Sequence, residues 1–267
     1  YIYMEKGKVI QEYDFETIKN ISERKRTEMG LRMLSWDEIP FRERVKTSSG
    51  KKVLSLDDFH FKRGKVSIFH IPRLEIEGHS IVGVIGNNGV GKTTFISSLI
   101  GLLKYQGDVI VDNHKVKRKL LTQKGFLVMQ DVNRQLFGST VSEEVSLGMK
   151  EIDENRVNEL LKEFHLEELK SKHPAILSGG QKQRLAIASA IYSRKQFLYF
   201  DEPTSGLDKQ SMIAFSDTLL HIKDKAECIF VITHDPELLF SCADFILKLE
   251  DNHVYDYYPM DKSGIEK

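Results

Sequence analysis

Residues 86 to 93, Gly86-Asn87-Asn88-Gly89-Val90-Gly91-Lys92-Thr93, match the spacing G-x-x-x-x-G-K-[ST], and their flanks match it as well. The apolar run Ile81 to Ile85 precedes them, and the helix-forming run Thr94 to Ile100 follows. A strand must therefore pass into a helix through a loop whose glycines let backbone N–H groups wrap an anion. The first turn of that helix adds its own unpaired N–H groups and the positive end of its dipole. Lys92 is placed to neutralise the outer phosphates of a bound polyphosphate, and Thr93 to offer a hydroxyl to Mg²⁺. Gly86 through Thr93, with Thr94 just beyond, form the candidate phosphate site.

A loop of this kind needs a buried strand on one side and a covering helix on the other, and the rest of the chain supplies both. From Val53 onward strand-like runs such as Ser80 to Ile85, Phe197 to Phe200 and Ile229 to Thr233 alternate with helical ones such as Thr93 to Leu103. That alternation predicts an α/β domain with a largely parallel sheet. At Phe197-Leu198-Tyr199-Phe200-Asp201-Glu202, two acids emerge from an apolar strand, at the edge where parallel sheets bind ligands. Asp201 is expected to hold Mg²⁺ directly or through water, and Glu202 to polarise an attacking water as general base.

The remaining features exclude more than they assign. Lys plus Arg and Asp plus Glu both number 39, so bulk charge marks no nucleic-acid partner. The basic run Arg24-Lys25-Arg26 reads as a solvated helix face. Cys228 and Cys242 are too few for a disulfide framework or a four-ligand zinc site and read as small buried hydrophobes. No apolar run reaches the ~18 residues needed to cross a bilayer, and no charged-then-apolar leader opens the chain. The expected location is cytoplasmic, so any membrane pore would belong to another polypeptide.

Residues 1–13 echo residues near the other end at an offset of 245: Met4 with Leu249, Glu5 with Glu250, Gly7 with Asn252, Val9 with Val254 and Tyr13 with Tyr258. Each stretch reads as a hairpin turning at a residue able to take positive φ, Gly7 or Asn252. Repeats at domain-sized spacing suggest tandem domains, with residues 1–13 the last strands of a preceding one. Residues 14–52 read as a linker, helical through Leu34, with a break at Ile39-Pro40 and a turn at Ser48-Ser49-Gly50. Residues 53–258 form the main domain, and 259–267 a tail.

Leu177-Ser178-Gly179-Gly180-Gln181 resembles the signature of ATP-binding-cassette (ABC) ATPases, and the likeness extends from about Val53 to Tyr258. The family's ordered elements recur: the phosphate loop, Gln130 of the Q-loop, the signature, Asp201 and Glu202, the D-loop Ser205-Gly206-Leu207-Asp208, and His234. The resemblance implies a mostly parallel core sheet, an antiparallel β subdomain and an inserted helical subdomain at about 131–176. It also implies ATP and Mg²⁺ as ligands, and a head-to-tail pair of cassettes with two nucleotides between them. In such a pair Ser178, Gly179, Gly180 and Gln181 would serve the opposite cassette's γ-phosphate, with Asp208 at the same interface. Gln130 would contact Mg²⁺ or the attacking water, and His234 the γ-phosphate. Many relatives stack a Tyr on adenine after the first strand; here the positions available are Arg63 and Phe61.

Between Gln130 and the signature, Thr140 with Glu143 predicts a capping box that opens a helix. The run Asn133-Arg134-Gln135-Leu136-Phe137 is similar to ATPases of energy-coupling-factor importers of vitamins and metal ions, some of them tandem chains. Leu136 and Phe137 read equally as simple subdomain core. The resemblance thus implies a transmembrane transporter subunit as second partner, with the chain peripheral on the cytoplasmic face. The competing class is a tandem ABC ATPase without a transporter, such as a translation factor or DNA-repair ATPase. An inactive regulatory half would lack the catalytic acid, and Glu202 is present.

Overall fold

Strands made almost entirely of apolar residues can only be stable when covered on both faces, and that requirement organises this chain. The computed structural model describes residues 2–5, 8–31, 50–63, 66–250 and 255–260. In chain order the strands are β1 (Ile2–Glu5), β2 (Lys8–Glu12), β3 (Lys52–Arg63), β4 (Val66–Glu77), β5 (Ser80–Ile85), β6 (Gln106–Val111), β7 (His114–Lys115), β8 (Gly125–Val128), β9 (Phe197–Asp201), β10 (Cys228–Ile232), β11 (Phe245–Leu249) and β12 (Tyr255–Pro259). The helices are α1 (Phe15–Lys19), α2 (Glu23–Glu28), α3 (Lys92–Leu99), α4 (Arg118–Lys124), α5 (Val141–Val145), α6 (Glu154–Glu163), α7 (Gly179–Tyr192), α8 (Lys209–Ile222) and α9 (Pro236–Cys242).

The main sheet runs in the order β12-β11-β5-β10-β9-β8, parallel throughout except for the edge strand β12. Period-two alternation divides its side chains between two cores. Phe197, Tyr199, Phe230 and Ile232 face α3 and the antiparallel sheet β4-β3-β6-β7, while Leu198, Phe200, Ile229 and Val231 face α7, α8 and the helical subdomain. Tyr199 stacks on Phe230 with ring centroids 5.1 Å apart, joining β9 and β10 on the first face. Cys228 and Cys242 are both buried, and burial pushes the Cys228 thiol up to about 12. Among the described residues no helix is long and apolar enough to cross a membrane.

One feature differs from the expectation for the N-terminal region. Within residues 14–52 lie the short helices α1 and α2, with Asp14 capping α1 through the Thr17 N–H (2.7 Å). Tyr13, Ile18 and Arg26 are buried, so Arg26 departs from the solvated face that Arg24 and Lys25 keep. Buried side chains give this segment an apolar reason to dock that its charge-rich sequence hides. It ends against α8, where the Gly30 carbonyl accepts from the Lys209 N–H (3.3 Å). Leu34, the Ile39-Pro40 break, Ser48, Ser49 and the tail beyond Met260 lie outside the described residues.

The inserted helical region contains α5 and α6, packed on α7 through Val141, Val145, Val157, Leu160 and Leu161. Thr140 caps α5 by accepting the Glu143 N–H, but the Glu143 carboxylate reaches the Ser139 N–H rather than Thr140's, so the expected box is displaced by one residue. Glu144 is buried and accepts the N–H groups of Phe137 (2.7 Å) and Gly138 (2.6 Å). Burial raises its pKa, against the pull of those two donors. A raised folded-state pKa contributes stability that is fully present at low pH and is lost as pH rises through the folded value. Relative to Glu144→Gln, the wild-type chain is therefore expected to gain unfolding free energy as pH falls from neutrality toward the ordinary Glu value of 4.5. Denaturant titrations of both proteins across that range check it; a pH-independent difference would refute the assignment.

Candidate functional site

Parallel neighbours deliver their C-terminal ends to one edge, and here four of them do so side by side. The loop after β5 is Gly86 to Gly91, the residue ending β9 is Asp201, His234 follows β10, and Gln130 follows β8. Register keeps the ends level: Ile232 of β10 pairs with both Asp201 of β9 and Val84 of β5. Between them opens a cleft of about 330 Å³ lined by Asn88, Gly89, Gly91, Lys92, Thr93, Thr94, Gln130, Asp201, Glu202, Ile232 and His234.

The loop's shape depends on two glycines at positive φ. Gly86 (φ 145°) sits where a Cβ would overlap the Leu249 carbonyl oxygen, and Gly91 (φ 108°) caps α3 where a Cβ would press on Ile68. Lys92 folds back to donate to the carbonyls of Gly86 (2.7 Å) and Asn87 (3.1 Å), so its ammonium stands inside the ring of backbone it would share with a phosphate. Burial lowers its pKa, opposed by Glu202 and Asp201. Asn87 is exposed, while Val90 packs on the core and its Cγ1 would meet a Cβ on Gly86.

Thr93 Oγ1 donates to Asp201 Oδ2 at 3.4 Å, bringing two hard oxygen donors together beside Lys92. Burial raises the Asp201 pKa, with the Thr93 hydrogen bond and the Lys92 charge working the other way. Glu202 adopts φ 46°, an uncommon region for a residue with a side chain, and its N–H donates to the Ile232 carbonyl (2.9 Å). The strained turn aims its carboxylate at the loop after β10, where the His234 N–H donates to Oε2 (3.4 Å) and Nε2 stands 3.7 Å from Oε1.

Several predicted residues lie elsewhere. Ser178 caps α7 in a full capping box with Gln181, and Ser178 and Gly179 are exposed while Gly180 is half-buried; none of the four lines the cleft. Asp208 caps α8 through the Ser211 N–H (2.8 Å), also away from it. Phe61 is half-buried, stacked on Phe69 at 6.1 Å against the core, and does not line the cleft. Arg63 ends β3, and its side chain lies outside the described residues.

Sequence reading missed the residues that hold these loops. Asp235 caps α9 through the Leu238 N–H and accepts from Thr204 Oγ1 (2.8 Å), while Gln183 donates to the Pro203 carbonyl (2.7 Å). Gln135 accepts the Met129 N–H (2.7 Å) and donates to the Leu127 carbonyl (3.3 Å), clamping the chain just ahead of Gln130. The capping pattern Asp235-Pro236-Glu237 was a readable signal for the first of these; the Gln135 clamp had none.

Gly86→Ala forces a side chain into the Leu249 carbonyl, so it is expected to lower unfolding free energy by about 1–3 kcal/mol and to weaken binding of a nucleoside triphosphate. Denaturant titration and fluorescent-nucleotide binding measure the two effects. An unchanged affinity would show that the glycine serves packing alone.

A family model described as ABC transporter matches residues 69–205. A Treponema denticola protein provisionally named an ABC transporter ATP-binding protein is 34% identical over 259 residues, which are 95% of this chain and 53% of that protein. The chain thus spans about half the length of this relative. An energy-coupling factor transporter ATP-binding protein of Thermotoga maritima is 37% identical over 67% of this chain and 71% of its own length. The solved structure of a CbiO protein of Clostridium perfringens, described as part of an ABC transporter complex, superposes with a TM-score of 0.71 at 27% identity, covering 78% of this chain and 88% of that one. Relatives of this extent, matching a strand edge that carries the phosphate loop and two acids, make this chain a member of the ABC transporter family of ATP-binding proteins.

Proposed function

We propose that the chain is a MgATP-hydrolysing engine that pairs head to tail with a second cassette and drives a transmembrane importer of the energy-coupling-factor type. The observation that carries this reading is the split of the site: Lys92, Thr93, Gln130, Asp201, Glu202 and His234 share one cleft, whereas Ser178 to Gln181 open helix α7 away from it, with Ser178 and Gly179 exposed. A phosphate-binding half-site and a separate anion-binding helix start complement each other only across two cassettes. Within the cleft, Thr93, Gln130 and Asp201 offer the oxygen donors that suit Mg²⁺. Glu202 would take the proton of the attacking water, with His234 beside it holding the carboxylate's orientation.

Transmission to a membrane subunit is supported by the segment after the Q-loop. Asn133 Oδ1 accepts from Lys182 Nζ (2.8 Å) on the signature helix α7, so a shift of Gln130 would be passed to Ser178 through Gln135, Asn133 and Lys182. On the same subdomain Leu136 packs inward, but Phe137 is 75% exposed, a large apolar surface that suits a docked membrane partner. The energy-coupling factor name of the Thermotoga relative supports the importer type that the run Asn133 to Phe137 resembles, whose substrates are vitamins and metal ions.

A preceding cassette in the same polypeptide is part of this proposal. The Treponema relative is about twice as long, and β1 pairs with β2 as β11 pairs with β12. Ile2↔Glu12 and Tyr3↔Gln11 correspond to Leu247↔Tyr257 and Lys248↔Asp256 at the same offset of 245 residues. Gly7, Asn252 and Val254 lie outside the described residues.

The test is Mg²⁺-dependent ATP hydrolysis against protein concentration, with Glu202→Gln in parallel and size-exclusion analysis of both. The expected result is activity rising more steeply than linearly and a variant that binds ATP, stays dimeric and loses at least about 100-fold in rate. A Glu202→Gln protein as active as wild type would overturn the role given to Glu202. A monomer that binds ATP yet stays inactive at every concentration would rule out the homodimer and leave a preceding cassette as the partner to restore.

A further inference from the structure

On the outer face of the antiparallel sheet, three side chains with metal-binding chemistry meet. From Leu54 onward along β3 the buried positions fall on Leu54 and Leu56 and then on Phe59, so the inward alternation shifts by one residue at Asp57-Asp58. The cause is a bulge: Asp58 takes φ 48°, and the register to β6 jumps from Asp57↔Asp108 to His60↔Gln106. Gly107 permits it, since a Cβ there would overlap the Asp58 carbonyl. After the shift His60 points outward, directly across from His70 on β4. The two imidazole rings lie 5.4 Å apart, and the Asp58 carboxylate turns onto the same face.

We propose that Asp58, His60 and His70 form a binding site for a first-row divalent cation of the Zn²⁺ class. Their ligand atoms all lie within 4.8 Å of one another. Asp58 Oδ1 is 2.7 Å from His70 Nε2 and 3.9 Å from His60 Nδ1, distances that bracket the roughly 3.3 Å between ligands sharing a tetrahedral zinc ion. Gln106 Oε1 contacts His60 Nε2; in the tautomer that carries its proton on Nε2, the Nδ1 lone pair faces Asp58, the arrangement a carbonyl favours in a metal-bound histidine. The Asp58 main-chain oxygen lies 2.9 Å from Nδ1 and accepts from it in the other tautomer, so a cation would take the place of that proton between the two atoms. Two imidazoles and one carboxylate suit zinc, cobalt or nickel better than Mg²⁺ or Ca²⁺. The His60 side chain is 14% exposed, that of His70 39% and that of Asp58 72%, so two ligands stand on a braced sheet and the third keeps the entry open. The strands that carry the site also carry Ile68, which walls Gly91 of the phosphate loop, so a bound cation would stiffen that wall.

The test uses the purified chain without nucleotide or chelator. Titration with Co²⁺ followed by visible absorption, and with Zn²⁺ by calorimetry, is expected to show one equivalent bound by a nitrogen-and-oxygen site. Asp58→Asn, which tolerates the positive φ, and His70→Gln should each weaken binding by at least about 10-fold, with Gln106→Leu weakening it by a similar factor. His114→Gln, on another strand, should leave it unchanged. Equal affinity in wild type and in Asp58→Asn, including no binding by either, overturns the proposal. If His70→Gln does not fold, the Asp58→Asn comparison decides alone, because that side chain is mostly in solvent.

Discussion

Everything in the cleft depends on the level register of β5, β10 and β9. Each of these strands is buried on both faces, so a slip of one residue would move every apolar side chain to the wrong core. Because that penalty falls on all three strands together, their C-terminal ends are held in line to the residue. Asp201, Ile232 and Val84 form one row, and the loops that follow have little freedom in where they begin. Chemistry placed on the first residues beyond such a row inherits the rigidity of the core without being buried in it.

The loops themselves carry the irregular backbone. Gly86 and Gly91 take conformations open to glycine, whereas Glu202 takes one that costs a residue with a side chain. The strain at Glu202 is held by its N–H on the Ile232 carbonyl and by the rigid strands on either side. Around this, a set of helix caps fixes where each helix starts: Gly91 for α3, Ser178 for α7, Asp208 for α8 and Asp235 for α9. Three of the four fall in motifs singled out for phosphate or interface chemistry, and Asp235 follows His234 directly. A helix start is both a structural problem of unpaired N–H groups and a ready anion site, so one set of residues answers to both demands.

How much of this could be read beforehand follows from the range of the forces involved. The strands β5, β9 and β10 were legible to within a residue because an uninterrupted apolar run between turn signals is a local property. The phosphate loop, Asp201 and Glu202 were legible because their spacing is itself the chemical requirement. Arg26 was misjudged toward solvent, and the choice between core and surface for Phe137 stayed open, because burial depends on what packs from elsewhere in the chain. The surroundings of Phe61 were hidden for the same reason: its neighbour Phe69 belongs to the opposite strand, and the two rings stack.

By itself, then, the sequence determined the parallel α/β architecture, the phosphate loop, the pair of acids and the family, all of which rest on local pattern and motif order. The family resemblance implied that Gln130 and His234 belong with Lys92 and Asp201 and that Ser178 to Gln181 do not, but only the tertiary structure supplied the strand order and register that bring the first four to one cleft. The tertiary structure also decided that Gly30 meets the start of α8 and that a bulge at Asp58 brings His60 and His70 face to face. The physical reason is the same in each case. Which groups meet across a sheet is set by strand order and register, and these are fixed by the summed burial of many residues far apart in the chain.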